Sequence, residues 1–281
     1  MGPFDRAQWQ VLSQNLQLAR AADRDVDYAI DTTALLDIDR CRQLFDTVGP
    51  MIGSPSHVVT ASLLAKRIAF LVTGPSLYAL SAFDLGLNMA RDNCITEYAH
   101  RDGSWQSRMV LKDLGVDRPV DGRRAEWRER VVQRVFADHL TPLWAAFHEA
   151  CGIAPRILWE NTAVRVFSLY ERRLAKCDGE RVRRQVQDDF DYLMHHASAS
   201  VFGLPDHPLR RFFGTAVTRR GDGPPSGQAR VPQRSGPPLG VPQPDTGVRY
   251  RKTCCLYFKA TDPAEYCSTC PLIRPGVNKP V

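Results

Sequence analysis

The stretch Arg251-Lys252-Thr253-Cys254-Cys255, followed after eleven residues by Cys267-Ser268-Thr269-Cys270-Pro271, holds four of the chain's eight cysteines within seventeen positions. The other four, Cys41, Cys94, Cys151 and Cys177, are widely scattered. A segment this short cannot bury a hydrophobic core of its own, so four thiols in it imply a staple. Disulfides are one reading; they suit a small secreted domain better than a chain of 281 residues with four more unpatterned cysteines. A structural zinc is a second, but its ligands normally come in two spaced pairs, and Cys254-Cys255 has no spacer. Neighbouring side chains diverge, which strains chelation of one small ion. A [2Fe–2S] cluster gives diverging thiolates more room, and geometry favours it.

Upstream of this tail, composition changes abruptly. Residues 221–247 contain seven prolines, six glycines and no aromatic residue, the mark of a linker. Before it lies a body whose hydrophobic pattern is mainly helical. Apolar residues recur each turn over 4–22, and Asp39 is placed to cap a short helix ending at Gly49-Pro50. Ser54-Pro55 opens a longer helix that Gly74-Pro75 should stop; residues 76–90 fit helix or strand equally. Residues 95–111 read as a β-hairpin turning at Asp102-Gly103, belonging to a small antiparallel sheet. Three amphipathic helices follow, over 121–150 with an interruption at Pro142, 156–177, and 178–197 capped by Asp178. Short connections should pack them into one helical layer. The expected fold class is therefore α+β: a helix-rich body with a small antiparallel β-sheet and a C-terminal cysteine-rich iron–sulfur segment. The expected divisions are 1–112, 113–220, the linker 221–247 and the tail 248–281.

Composition narrows the function classes. The chain is 43% hydrophobic and 24% charged, as a globular protein should be, and no apolar run approaches eighteen residues. No integral membrane span is expected. The net charge of +6 comes from arginines dispersed over several helices, without the dense basic run that nucleic acid would call for. No Gly-x-Gly-x-x-Gly fingerprint is present, so electrons for a redox site should come from an external donor protein or reductant. Residues 248–281 carry six Lys and Arg against two Asp and Glu. A cation ~7 Å from an anionic cluster, at an effective dielectric of about 20, is worth roughly 2.4 kcal/mol, on the order of 0.1 V for one electron. Arg251 and Lys252 thus favour the reduced cluster and attract anionic partners.

The pattern Arg251-x-x-Cys254-Cys255, then Cys267-x-x-Cys270, resembles the [2Fe–2S] signature of the ferric-siderophore reductases of the FhuF type, with a gap one residue longer than usual there. The specific resemblance runs from about Arg251 to Pro271. It implies Cys254, Cys255, Cys267 and Cys270 as cluster ligands, and a cytoplasmic protein passing one electron to siderophore-bound Fe(III). Trp159-Glu160-Asn161 resembles a polar turn of the same family and of related siderophore synthetases. Asn161 and Arg165 are one turn apart and could face one ligand, with Trp159 and Arg251 beside them. The alternative places Trp159 in the core and pairs Arg165 with Glu160, Glu171 or Asp189. Two other functions stay open at this point: an iron–sulfur carrier or sensor without a siderophore pocket, and a zinc-stapled interaction module.

Overall fold

The computed structural model describes residues 3–24, 28–101, 104–214 and 249–274. The linker 221–247 and the Asp102-Gly103 turn lie outside the described residues.

The element around which the rest is built is longer than the sequence pattern suggests. Helix α3 spans His57–Phe83, capped by Ser56 and running through Gly74-Pro75 to Asp84, whose left-handed φ of 52° ends it. Pro75 costs the helix one backbone bond, the one to the Leu71 carbonyl, and beside it the Thr73 and Ser76 hydroxyls fold back onto the Ala69 and Val72 carbonyls at 2.6 Å. Apolar on nearly every side, α3 is a core helix. It is the one helix among the described residues long and apolar enough to cross a membrane by composition, and 72% of its most apolar window is buried inside the fold.

The flanking elements pack on α3. Helix α1 (Arg6–Gln10), opened by a reciprocal Asp5–Gln8 capping box, continues as a π-turn to Asn15. It does not reach residue 22: Gln17 takes φ 61°, and the alternating burial of Leu16 and Leu18 turns the chain into strand β1 (Leu18–Arg20). Helix α2 (Ile38–Met51) is capped by Asp37, which accepts from the Asp39 and Arg40 amides, and not by Asp39. Strand β2 is Tyr28–Asp31, β3 is Gly86–Leu87, and β4 (Cys94–Arg101) and β5 (Ser104–Leu111) form the expected hairpin, with Cys94 opposite Leu111. β6 (Val116–Asp117) pairs only with β3. The main sheet runs β1-β5-β4-β2; its pairs are antiparallel except β1 against β5, which is parallel, so the sheet is mixed.

Helices α4 (Arg124–Val135) and α5 (Thr141–Cys151) are joined by a π-turn over Phe136–Leu140, which absorbs the hydrogen bond that Pro142 cannot donate. α6 (Pro155–Ser168) begins on a proline, and α7 (Glu180–Asp191) follows Gly179 with no side-chain cap from Asp178. Helices α4, α5, α6 and α7 all pack against α3, α6 most extensively. Buried residues form one continuous core from Leu12 to Phe212, crossing the 112/113 boundary. Buried Asp189 accepts from Arg124 and Arg128, tying α7 to α4.

One buried group makes stability pH-dependent. His139 is fully buried and bonded through Nδ1 to the Met89 carbonyl at 2.8 Å, and burial lowers its pKa from 6.5 to about 4. The unfolded chain therefore binds the extra proton first, and stability is lost as pH falls from about 6.5 towards about 4. The full loss is about 3 kcal/mol. Thermal melts across that range should show this loss, and a His139→Asn chain should show a shallower pH slope; equal slopes would remove His139 from the account.

Candidate metal centre

The tail returns to the body and lies against α3 and α6, which fixes the position of both cysteine arms. Arg249 leads it in: its guanidinium sits 4.5 Å over the Phe213 ring, donates to the Gly214 carbonyl, and pairs with Glu171 at 2.8 Å. Arg251 N donates to the Thr269 carbonyl at 2.8 Å, closing the two arms onto each other. The main anchor is Glu160 on α6. One carboxylate oxygen accepts from the Lys252 amide and the other from the Thr253 amide, each at 2.6 Å, and the Thr253 hydroxyl adds a third donor. Glu160 is 1% exposed, so these charge-assisted bonds are made out of water. From α3, Ser62 donates to the Cys255 carbonyl at 2.8 Å.

The thiols come out as two pairs. Cys255 Sγ lies 3.7 Å from Cys267 Sγ, and Cys254 is within hydrogen-bonding reach of Cys270. Cys255 and Cys270 are buried; Cys254 and Cys267 are half-buried. A tetrahedral metal with metal–sulfur bonds of about 2.3 Å has an edge of roughly 3.8 Å between two thiolates, so the 3.7 Å pair already has the bite of one metal. Two pairs, each joining one cysteine from either arm, have the donor chemistry that a two-iron group would take. Among the described residues, no three His, Cys, Asp or Glu side chains are set to hold a single ion. The Leu256 amide donates to Cys254 Sγ at 3.3 Å, the kind of bond that stabilises a thiolate ligand. A hydrogen bond from Cys267 holds the Cys255 thiol down, to about 5, against its burial, and Lys66 and Arg251 act in the same direction.

Arg251 completes the fit. Its side chain is 1% exposed and its Nε lies 3.8 Å from Glu160 Oε2, yet Nε and Nη2 have no hydrogen-bond partner among the described residues. A buried guanidinium with free donors suits a neighbouring anion, and its charge acts on both Cys255 and Cys267. The scattered cysteines are different: burial raises the thiols of Cys41 and Cys94 to about 12, and they are inert core residues.

Of the residues expected to face a shared ligand, the structure brings Arg165 and Arg251 within range of each other's charge and places Trp159 and Asn161 in the interior. Trp159 is 7% exposed and packs in the core. Asn161 is fully buried; its amide nitrogen donates to the Ser62 carbonyl and hydroxyl, bracing α3 against α6, while its Oδ1 has no partner among the described residues. Arg251 is buried beside Glu160. Only Arg165 reaches half-exposed ground, bonded to the Lys66 carbonyl, and burial pushes it down to about 10. The three carboxylates that could have paired with it are otherwise engaged: Glu160 holds the tail, Glu171 meets Arg249, and Asp189 meets Arg124 and Arg128. The anchoring role of Glu160 and Ser62 was hidden in sequence; the available signal was a Glu-Asn-Thr run at 160–162 inside an otherwise apolar helix.

Residues 62–202 match the family model described as ferric iron reductase FhuF-like transporter, and residues 251–272 match the FhuF 2Fe–2S C-terminal domain. No curated protein matches the chain. Among solved structures, the aerobactin synthetase IucC from a hypervirulent pathotype of Klebsiella pneumoniae is similar, with 13% identity and a TM-score of 0.45 over 67% of this chain. That match spans 36% of the synthetase. With half of the chain inside the first matched segment and all four tail cysteines inside the second, the chain belongs to the FhuF-like ferric iron reductase family and carries its 2Fe–2S domain.

Proposed function

We propose that this chain is a ferric-siderophore reductase that gives one electron to siderophore-bound Fe(III) in the cytoplasm and takes its electron from an external donor protein or reductant. The observation that carries the reading is the four-cysteine tail seated on the family's helical body, with its two thiol pairs beside α3. We assign Cys254, Cys255, Cys267 and Cys270 as the ligands; the bound [2Fe–2S] group supplies a one-electron carrier. The chain's own residues do the rest. Glu160 and Ser62 hold the ligand loop, Arg251 and Lys66 place positive charge beside the sulfurs, and the core face of α3 shields one side from water. A siderophore grips Fe(II) far less tightly than Fe(III), so reduction alone frees the metal. The tail from 248 onwards is read as a unit that the 221–247 linker allows to dock on the body.

The test is direct. Anaerobically reduced protein is mixed with ferric siderophores of several ligand classes in the presence of a chromogenic Fe(II) chelator. The expected result is return of the oxidised visible spectrum together with about one chelated Fe(II) per cluster. If no ferric siderophore of any class reoxidises the protein, the chain is an electron carrier or sensor instead.

A further inference from the structure

Beyond the cysteines, α3 and α6 present an unusual concentration of positive charge. Three guanidinium groups surround one ring: Arg67, Arg165 and Arg173 lie 5.4, 5.9 and 5.5 Å from the centroid of Phe70. Lys66 joins them, its Nζ 5.6 Å from the Tyr257 ring of the tail. All four cations and Phe70 are half-buried. None of the four forms an ion pair with a carboxylate among the described residues. Arg67 donates to the Ser107 hydroxyl and carbonyl, Arg165 to the Lys66 carbonyl and Arg173 to the Asn15 carbonyl, all neutral acceptors. Cation–π contacts with a single ring are weak beside the mutual repulsion of like charges at such range. The arrangement costs stability in the free chain, which calls for an anion.

The cluster does not account for all of that charge. An oxidised [2Fe–2S] group with four thiolates carries two negative charges, and Glu160 adds a third. Against these stand Arg251, Lys66, Arg67, Arg165 and Arg173, leaving two positive charges unmatched. They also lie in the right place. Ser62, Lys66 and Phe70 are each four residues apart, so they line one face of α3 over ~12 Å, from the Cys255 anchor to the aromatic floor of the arginine cluster.

We propose that Lys66, Arg67, Arg165 and Arg173 around Phe70 seat a net-anionic ferric chelate whose carboxylates lie outside the inner donor set of the iron. Guanidinium forks match carboxylates in bidentate geometry, and Phe70 offers an apolar floor to the body of the chelator. This rests on the reductase reading and adds to it the charge class of the substrate. The seated chelate is one helical face away from the cysteines, and the electron passes from the reduced cluster to Fe(III), giving the oxidised cluster and Fe(II) with no proton or further reactant required.

The experiment uses two ferric hydroxamate complexes with the same inner donor set, one neutral and one bearing pendant carboxylates. Reduced full-length protein is mixed with each in a stopped-flow instrument, for the natural chain and for Arg165→Gln, Arg173→Gln and the double variant, with Arg184→Gln, exposed on α7, as a control. The visible spectrum, melting transition and cluster midpoint potential of each variant are measured first. The expected result is that the half-saturating concentration of the carboxylate-bearing complex rises about tenfold in each single variant, more in the double, while the neutral complex changes by less than about twofold. Arg184→Gln should behave as the natural chain. The proposal is overturned if both complexes are affected equally, or if the effect follows a shifted cluster potential, since the cations would then serve only the cluster. If the natural chain is reoxidised by neither complex nor any other ferric siderophore, the reductase reading fails first and takes this inference with it. If neutral complexes are reduced and anionic ones gain nothing from the arginines, only this inference falls.

Discussion

Serine at Cys254, Cys255, Cys267 or Cys270, one position at a time, is expected to remove most or all of the visible absorption of the anaerobically purified protein. In the proposed assignment the four thiols would hold the two irons between them, and the 3.7 Å separation of Cys255 and Cys267 is already close to a tetrahedral edge. Losing one thiolate leaves an iron with a weaker alkoxide or water ligand in a half-buried site. Bound iron and labile sulfide should fall by at least roughly half, along with the spectrum. Alanine at Cys41, Cys94, Cys151 or Cys177 should leave the iron content intact, since none belongs to the tail and the first two are buried thiols held protonated. Some stability loss is expected at the buried positions, on the order of 1 kcal/mol per small cavity. One zinc and no labile sulfide in the natural chain would remove the two-iron assignment.

The second large effect is at Glu160. Its carboxylate receives both tail amides and the Thr253 hydroxyl, and its oxygen lies 3.8 Å from Arg251 Nε. Replacement by glutamine keeps the shape but turns a donor NH2 towards amide donors and leaves Arg251 buried without its counter-charge. Breaking one member of a buried pair costs about 3–5 kcal/mol. The body has its own core, so the loss should fall on the docking of the tail rather than on the whole fold. Hydrogen exchange at the Lys252 and Thr253 amides should accelerate by about two to three orders of magnitude in Glu160→Gln, and the cluster should be lost faster to a chelator. Glu171→Gln is the comparison: its partner Arg249 is part-exposed and the pair is worth only about 0–1 kcal/mol. Unchanged exchange and cluster lifetime in Glu160→Gln would show that the tail is held by other contacts.

The cysteine site was legible because ligand spacing is a local property: four thiols in seventeen positions restrict the choices before any fold is known. The hairpin was legible for the same reason, through alternation over 95–111. What sequence pattern misjudged was how neighbours compensate local weakness. Gly74-Pro75 reads as a helix stop, but the junction is buried against its neighbours, and α3 continues to Phe83 at the loss of one backbone bond. Pro142 was similarly absorbed by a π-turn. Gln17 and the parallel pairing of β1 required knowledge of a partner strand ninety residues away. Asn161 and Arg165 share a helix turn, but which face meets α3 depends on packing that no periodicity within α6 reveals.

The anchors of the tail also bear on the order in which the molecule is made. The Lys252 and Thr253 amides reach back 92 and 93 residues to Glu160, and the Cys255 carbonyl reaches back 193 residues to Ser62. Contacts so distant along the chain carry the largest closure entropy and form after the local helices and the hairpin. The expected order is therefore body first and tail last: α3 and α6 should be in place, with Glu160 as a docking point, before Cys254 and Cys255 close on them, and uptake of iron and sulfide should follow body folding in a refolding experiment.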